Sequence, residues 1–180
     1  SFCRDMKTMS AKENFDLMLT DLGKVYFVQV ATERGAKLLG DAPDATAEQK
    51  AAFQKIEKEK IKDFNHRIEF DIDELPRRLD ESYDSLIWDA ASRRCYSCGS
   101  CVLVCPTCYC FDVDDTIKLN LAEGERKRNW DGCMLEGFAQ VAGGENFRAD
   151  KSRRLRHRLF RKGKIIREMF DRPGCVGCDR

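Results

Sequence analysis

Four cysteines in mid-chain carry the clearest chemistry in this sequence. They stand in Cys95–Pro106, CYSCGSCVLVCP, at the spacing Cys-x2-Cys-x2-Cys-x3-Cys-Pro, which is the spacing of a bacterial [4Fe–4S] site. A loop with thiolates at Cys95, Cys98 and Cys101 can wrap an iron–sulfur cube and reach three of its irons, and Gly99 lets the backbone come close to it. Cys105 leaves in another direction and, in two-cluster proteins, ligates the other cube. Pro106 cannot continue a helix and turns the chain. Zinc sites usually present one Cys-x2-Cys pair per knuckle, so the four-cysteine cadence favours iron and sulfide over zinc.

A second run opens near the C-terminal end with Cys175-Val176-Gly177-Cys178. A lone Cys-x2-Cys is compatible with zinc or redox chemistry. Here it follows a complete run and a turn at Asp171–Gly174, and reads as the start of a second cluster site. The expected arrangement puts Cys95, Cys98 and Cys101 on one cube, with Cys105 crossing to join Cys175 and Cys178 on the other. Each cube wants four thiolates, and each has three. Either the chain continues past Arg180 in nature, which is the expectation, or nearby cysteines substitute. Cys108, Cys110 and Cys133 are the surplus. They read either as ligands or close neighbours of a cluster, or as buried apolar side chains.

Ten cysteines in 180 residues, with no apolar leader over Ser1–Ser10, indicate metal binding rather than disulfides. No apolar run approaches membrane-spanning length, so a soluble, reducing, cytoplasmic setting is expected. The net charge of +1 gives no global attraction to nucleic acid. The chain opens at Ser1, and an upstream continuation is expected.

Several elements must position these cysteines. Residues 15–31 alternate as a hairpin around Asp21-Leu22-Gly23-Lys24. Thr32–Leu39 reads as a short helix closed by Gly40, and Thr46 to about Asn65 as a helix opened by a Thr46/Gln49 capping box. His66 just beyond it reads as a surface or capping residue rather than a ligand. Phe70–Asp80 is expected to be an extended connector broken by Pro76. A helix over Tyr83–Arg93 then delivers Cys95, with Trp88 as packing. Ile117–Leu121 is a strand candidate. Asn129 is expected to cap a helix from Trp130 to Ala142, on which Cys133 points inward. The last helix spans Lys151–Phe170 behind Asp150, with Gly163 expected to weaken or bend it.

That last helix is strongly basic, with Lys151, Arg153, Arg154, Arg156, Arg158, Arg161, Lys162, Lys164 and Arg167. Its cations can stabilise an anionic cluster, dock an acidic partner, bind nucleic acid, or face solvent. Nucleic acid is the weakest of these, because the chain is near neutral and has no nucleic-acid fold signature. No nucleotide-binding glycine motif or nucleophile elbow is present, so electron carriage is expected rather than bond chemistry.

Residues 15–23 (FDLMLTDLG), 94–113 (RCYSCGSCVLVCPTCYCFDV) and 130–148 (WDGCMLEGFAQVAGGENFR), with Cys175–Cys178, resemble the 4Fe-4S dicluster-domain proteins. That family includes the iron–sulfur β subunit of NiFe sulfhydrogenases and the A subunit of anaerobic sulfite reductase. The resemblance implies two [4Fe–4S] clusters in a non-catalytic electron-transfer subunit. Such a subunit would relay electrons between a flavoprotein handling NAD(P)H and a hydrogenase or reductase subunit of an oxygen-averse complex, without membrane insertion. Family members complete the second run with two further cysteines and carry glycine where Asp179 stands here. The alternative reading is a zinc-stabilised basic module that binds nucleic acid or protein. The expected fold is α+β. An N-terminal region, 1–82, holds a small sheet or hairpin and is the end of a larger upstream domain. A largely helical ferredoxin-like two-cluster region, 83–180, carries an insertion between its cysteine runs.

Overall fold

A computed structural model of the chain describes residues 2–11, 13–62, 64 and 66–178. The class is α+β, with two separate two-stranded antiparallel sheets among short helices. The chain forms two compact units, residues 1–69 with 177–179, and residues 70–176.

In the first unit, β1 (Leu17–Asp21) pairs with β2 (Tyr26–Val30) across the expected turn, with Leu17 opposite Val30 and Asp21 opposite Tyr26. The Asp21 carboxylate accepts the Gly23 N–H at 2.7 Å, which closes the turn. Helix α1 (Glu33–Leu39) starts at Thr32, whose hydroxyl accepts the Gly35 N–H, and ends at Gly40. Helix α2 (Ala47–Glu59) opens with the expected reciprocal capping box between Thr46 and Gln49. It stops at Glu59, earlier than its periodicity suggested, and Asn65, the expected end, lies outside the described residues. No residue of α2 is buried. Its main apolar anchor is Phe53, stacked on Phe27 of β2 with ring centroids 4.4 Å apart.

The second unit departs further from the sequence expectations. Residues 70–81 are not an extended connector. A 3-10 turn at Ile72–Glu74 leads into α3 (Leu75–Glu81). Pro76 sits in the first turn of α3, where a missing N–H costs nothing and the fixed φ suits a helix. Helix α4 (Ile87–Ser92) is shorter than expected. Tyr83, Leu86 and Ile87 are exposed, and Trp88 is the buried anchor. The Trp88 indole N–H donates to the Ser82 carbonyl at 2.6 Å, and its ring lies against Phe160.

After the short helix α5 (Ser100–Leu103), β3 (Phe111–Ile117) and β4 (Gly124–Trp130) form a hairpin exposed on both faces. This replaces both the strand expected at 117–121 and the start of the helix expected at 130–142. Trp130 pairs with Phe111. Residues 131–142 form turns and a 3-10 turn at Gly137–Ala139. The hairpin is held by charge, with Arg126 bridging both oxygens of Asp115 at 2.7 Å.

The last helix runs as α6 (Lys151–Phe160), a π-helical turn (Arg161–Ile165) and α7 (Ile166–Phe170). Asp150 occupies the N-cap position without a side-chain cap bond, and its carboxylate pairs with Arg153. Gly163 does not bend this helix into solvent. It lets the π turn press on α3, since a Cβ there would stand 2.7 Å from Leu75 Cδ2 and 2.8 Å from Leu79 Cδ1. Gly163→Ala should therefore lower the melting temperature. Overpacking costs roughly 1–3 kcal/mol, against a helix-propensity gain of about 1 kcal/mol. A variant that melts at or above wild type would show that α3 and the π turn are not in close contact.

The basic side chains of this helix turn inward to neighbouring segments. Arg156 donates to the Tyr83 carbonyl, and Arg167 to the Ile72 carbonyl and the Asp73 carboxylate. Lys164 holds both oxygens of Asp80, and Lys151 reaches the Cys95 carbonyl at 3.2 Å. Arg154, 3 % exposed, donates to the carbonyls of Arg148 and Ala149 and to the Ser97 hydroxyl. The helix clasps residues 72–83 and 95–97 rather than presenting a solvated basic face. No helix of the described residues is long and apolar enough to cross a membrane.

Candidate metal centre

The core of the second unit is built around cysteine. Val102, Cys133 and Met134 are buried together, and Cys95, Cys101, Cys108, Phe138 and Leu155 pack against them. Arg93 caps α4, and the Cys95 N–H then bonds the Ser92 carbonyl at 2.9 Å, which fixes where the cysteine run begins. The Ser97 N–H donates to the Cys95 sulfur at 3.4 Å. Ser97 and Gly99 both have left-handed backbones, with φ of 55° and 74°. Gly99 is required twice over. Its φ suits glycine, and a Cβ would stand 2.6 Å from Leu135 Cδ2. This double reversal turns the chain between Cys95 and α5, the helix that carries Cys101.

Cys98 is exposed. Its bond with the Ser100 hydroxyl, 3.4 Å, holds its pKa below the ordinary thiol value. Burial raises that of Cys101, with the Arg158 guanidinium acting against it. Cys105 is tuned differently. Burial pushes it up, but hydrogen bonds with Thr107, the Lys162 ammonium and Cys108 outweigh that and bring it to about 7.

Thr107 links the two cysteine runs within this unit. Its hydroxyl lies 3.3 Å from the Cys105 sulfur and donates to the Gly174 carbonyl, next to Cys175. Lys162, 7 % exposed, donates to the Thr107 carbonyl at 2.9 Å and to its hydroxyl oxygen at 2.6 Å. The Lys162 carbonyl in turn accepts the Gly174 N–H at 2.7 Å. Cys105 and the segment entering Cys175 are thus fastened to one lysine. The second run is divided at Val176–Gly177: Cys175 belongs to the second unit, while Gly177 and the exposed Cys178 belong to the first. There the Gly177 carbonyl accepts the Phe2 N–H at 2.9 Å.

Cys133 is 6 % exposed, so it points inward as expected, although from a turn rather than a helix. Burial, and next Cys110, raise its pKa to about 11. Burial also raises that of Cys108. His66 is exposed. Among the described residues, no three of His, Cys, Asp and Glu converge tightly enough for a single metal ion.

These residues suit an iron–sulfur anion. Cysteines supply all the soft donors, which Fe–S clusters favour. Two cations, Arg158 and Lys162, reach into the cysteine-lined core, and Nη1 of Arg158 is buried with no hydrogen-bond partner in the protein. A buried guanidinium nitrogen without a partner is costly unless an anion comes to it. Sequence reading missed Thr107 as a site residue, and named Arg158 and Lys162 only within the basic helix whose cations can stabilise an anionic cluster.

Residues 94–180 match the family model of the 4Fe-4S dicluster domain. The chain is 32% identical over 183 residues to sulfhydrogenase 2 subunit beta of Pyrococcus furiosus, covering 99% of this chain and 54% of that protein. It is 31% identical over 102 residues to F420-dependent formate dehydrogenase 1 subunit beta of Methanococcus maripaludis, covering 56% of this chain and 26% of that one. The chain thus spans about half the length of the first relative and about a quarter of the second. No solved structure is significantly similar to it.

Proposed function

We propose, from the match of residues 94–180 to the family model of the 4Fe-4S dicluster domain, that the chain is an electron-relay subunit with two [4Fe–4S] clusters in a cytoplasmic oxidoreductase complex. It would stand between a flavoprotein that handles NAD(P)H and a subunit of the hydrogenase, formate dehydrogenase or sulfur-compound reductase type. The names of two relatives, a sulfhydrogenase subunit and a formate dehydrogenase subunit, support the hydrogenase or formate dehydrogenase side of that reading. The observation that carries the reading is the ferredoxin spacing of the cysteines, with the inward cations Arg158 and Lys162 acting on Cys101 and Cys105 of that run.

When bound, each cluster supplies a site that accepts and releases one electron. The protein's own residues do the rest. Cys95, Cys98 and Cys101 would hold the first cluster. Cys105 and Cys175 would hold the second, with Thr107 and Lys162 keeping Cys105 close to the segment that enters Cys175. Arg158 offsets thiolate charge at Cys101 and Cys133, and Lys162 does so at Cys105 and Cys108. Removing positive charge makes adding an electron harder, so these residues help set the working potential.

The test is anaerobic reconstitution with ferrous iron and sulfide. The expected product is brown, with about four iron and four sulfide per cluster and visible absorption bleached by dithionite. A colourless chain holding stoichiometric zinc and folding as well without iron would reject the relay in favour of the zinc-stabilised module. That rival is disfavoured by the inward direction of the basic helix, whose cations are engaged within their own unit.

A further inference from the structure

We infer that Cys105 and Cys108 form a reversible dithiol–disulfide pair, a redox modification site that competes with iron for Cys105. They stand as Cys105-Pro106-Thr107-Cys108, the two-residue spacing of a redox-active cysteine pair. The pairing itself goes beyond the electron-relay reading, and only its consequence for iron rests on that reading.

A turn brings the two residues together. The Cys108 N–H donates to the Cys105 carbonyl at 3.1 Å, which closes a hydrogen-bonded turn over Pro106 and Thr107. Proline is favoured at the first corner of such a turn, whose first and fourth Cα atoms lie within about 7 Å. That separation is within reach of a disulfide. The thiols also meet, since the Cys105 and Cys108 side chains share a hydrogen bond. Both are half-buried and neither is in a disulfide. Cys95 and Cys98 have the same spacing but other partners: Cys95 accepts the Ser97 N–H, and Cys98 bonds the Ser100 hydroxyl. Plain apolar filling would account for a covered sulfur. It does not account for two thiols in contact, with the Lys162 ammonium fastened to the threonine between them.

Closing the pair removes two protons and two electrons from the chain. The oxidant is a small-molecule disulfide, the class to which oxidised glutathione belongs. The Cys105 thiolate attacks one sulfur of that disulfide, breaks its S–S bond and forms a mixed disulfide, releasing one thiolate. The Cys108 thiolate then attacks the Cys105 sulfur, forms the Cys105–Cys108 bond and expels the second thiolate. The two protons end on the two released thiols. The Lys162 ammonium offsets the negative charge as it passes from one sulfur to the other. A dithiol reductant runs the sequence backward. Cys105 closed in a disulfide has no thiolate to give to iron, and Cys105 bound to iron has none to give to the oxidant. The pair is therefore open to oxidation in the iron-free chain and shielded in the loaded one.

The full chain, reduced and free of iron, is titrated anaerobically with mixtures of reduced and oxidised glutathione, then alkylated and mapped by fragment mass spectrometry. Cys105–Cys108 is expected to be the first bond to close. It should remove both alkylation sites without leaving glutathione on either, and dithiothreitol should restore both. In Cys108→Ser, Cys105 should instead retain one glutathione. The wild-type map stands whether or not that variant folds. Another pair closing first, or Cys105 remaining alkylatable throughout the titration, overturns the site. The same mixtures are then applied to the anaerobically reconstituted, iron-loaded chain. There the pair should stay reduced, and close once the iron is chelated. A pair that closes as readily with iron bound overturns the competition for Cys105. A reduced chain that takes up no iron rejects the relay reading alone, because the pair is mapped on iron-free protein.

Discussion

Cys98→Ala is expected to remove one cluster and leave the fold intact. Cys98 is exposed and outside the buried group of Val102, Cys133 and Met134, so trimming its side chain opens no cavity. Its recorded polar contact is with the neighbouring Ser100 hydroxyl. An effect on iron therefore reports ligation and not packing. The anaerobically reconstituted variant should hold about four fewer iron per chain, with far-ultraviolet circular dichroism unchanged. Cys101→Ala cannot separate these causes, because Cys101 packs on the core. Full iron content in Cys98→Ala would remove the first run from the metal site.

Lys162→Met is expected to have the largest effect outside the cysteines. The lysine is buried, and its ammonium makes two hydrogen bonds to Thr107, which itself contacts Cys105 and the Gly174 carbonyl. Hydrogen bonds from a charged group are each worth roughly 1.5–3 kcal/mol, so a loss of about 3–6 kcal/mol is expected from the pair. Methionine keeps most of the stem's apolar contact, so the loss isolates the ammonium. Two further consequences have definite signs. Cys105 loses one of the influences that hold its pKa near 7, and its thiol should titrate higher. The potential of the cluster it ligates should become more negative, because a nearby positive charge is gone. A variant that melts with wild type and shows an unshifted potential would place Lys162 outside the site. Lys162→Arg, which keeps the charge and changes the shape, should recover the potential more fully than the stability.

What the sequence revealed was what is decided locally. The turn at Asp21–Lys24 and the Thr46/Gln49 capping box each depend on a few neighbouring residues, and each is present as read. The errors lie where a distant partner decides. Pro76 reads as a breaker until Ile72–Glu74 is seen to place it in the first turn of a helix. Trp130 reads as the head of a helix face, but Phe111, nineteen residues earlier, pairs it into a strand. The exposed hairpin lacks the apolar alternation of a half-buried strand, because neither face is covered. The direction of the basic side chains was the least legible of all. A lysine or arginine long enough to reach solvent is also long enough to reach a carbonyl on the next segment, and only the packing of α6 on α4 and α3 settles which it does.

The π turn at Arg161–Ile165 has a consequence for the phase of the rod it interrupts. A wide turn takes up one residue more than its neighbours, and one residue in a helix of 3.6 per turn is about 100° of rotation. Ile166 and Arg167 therefore face a different compass bearing from the one an unbroken coil would give them. Deleting a single residue between 161 and 165 should restore an even winding, yet swing everything after it by more than a quarter of a circle. Arg167 would then lose Ile72 and Asp73, and the strand of chain leading to Cys175 would set off the wrong way. One additional amino acid, kept in place by a glycine, works here as an angular offset, and the aim of the second thiol pair depends on it.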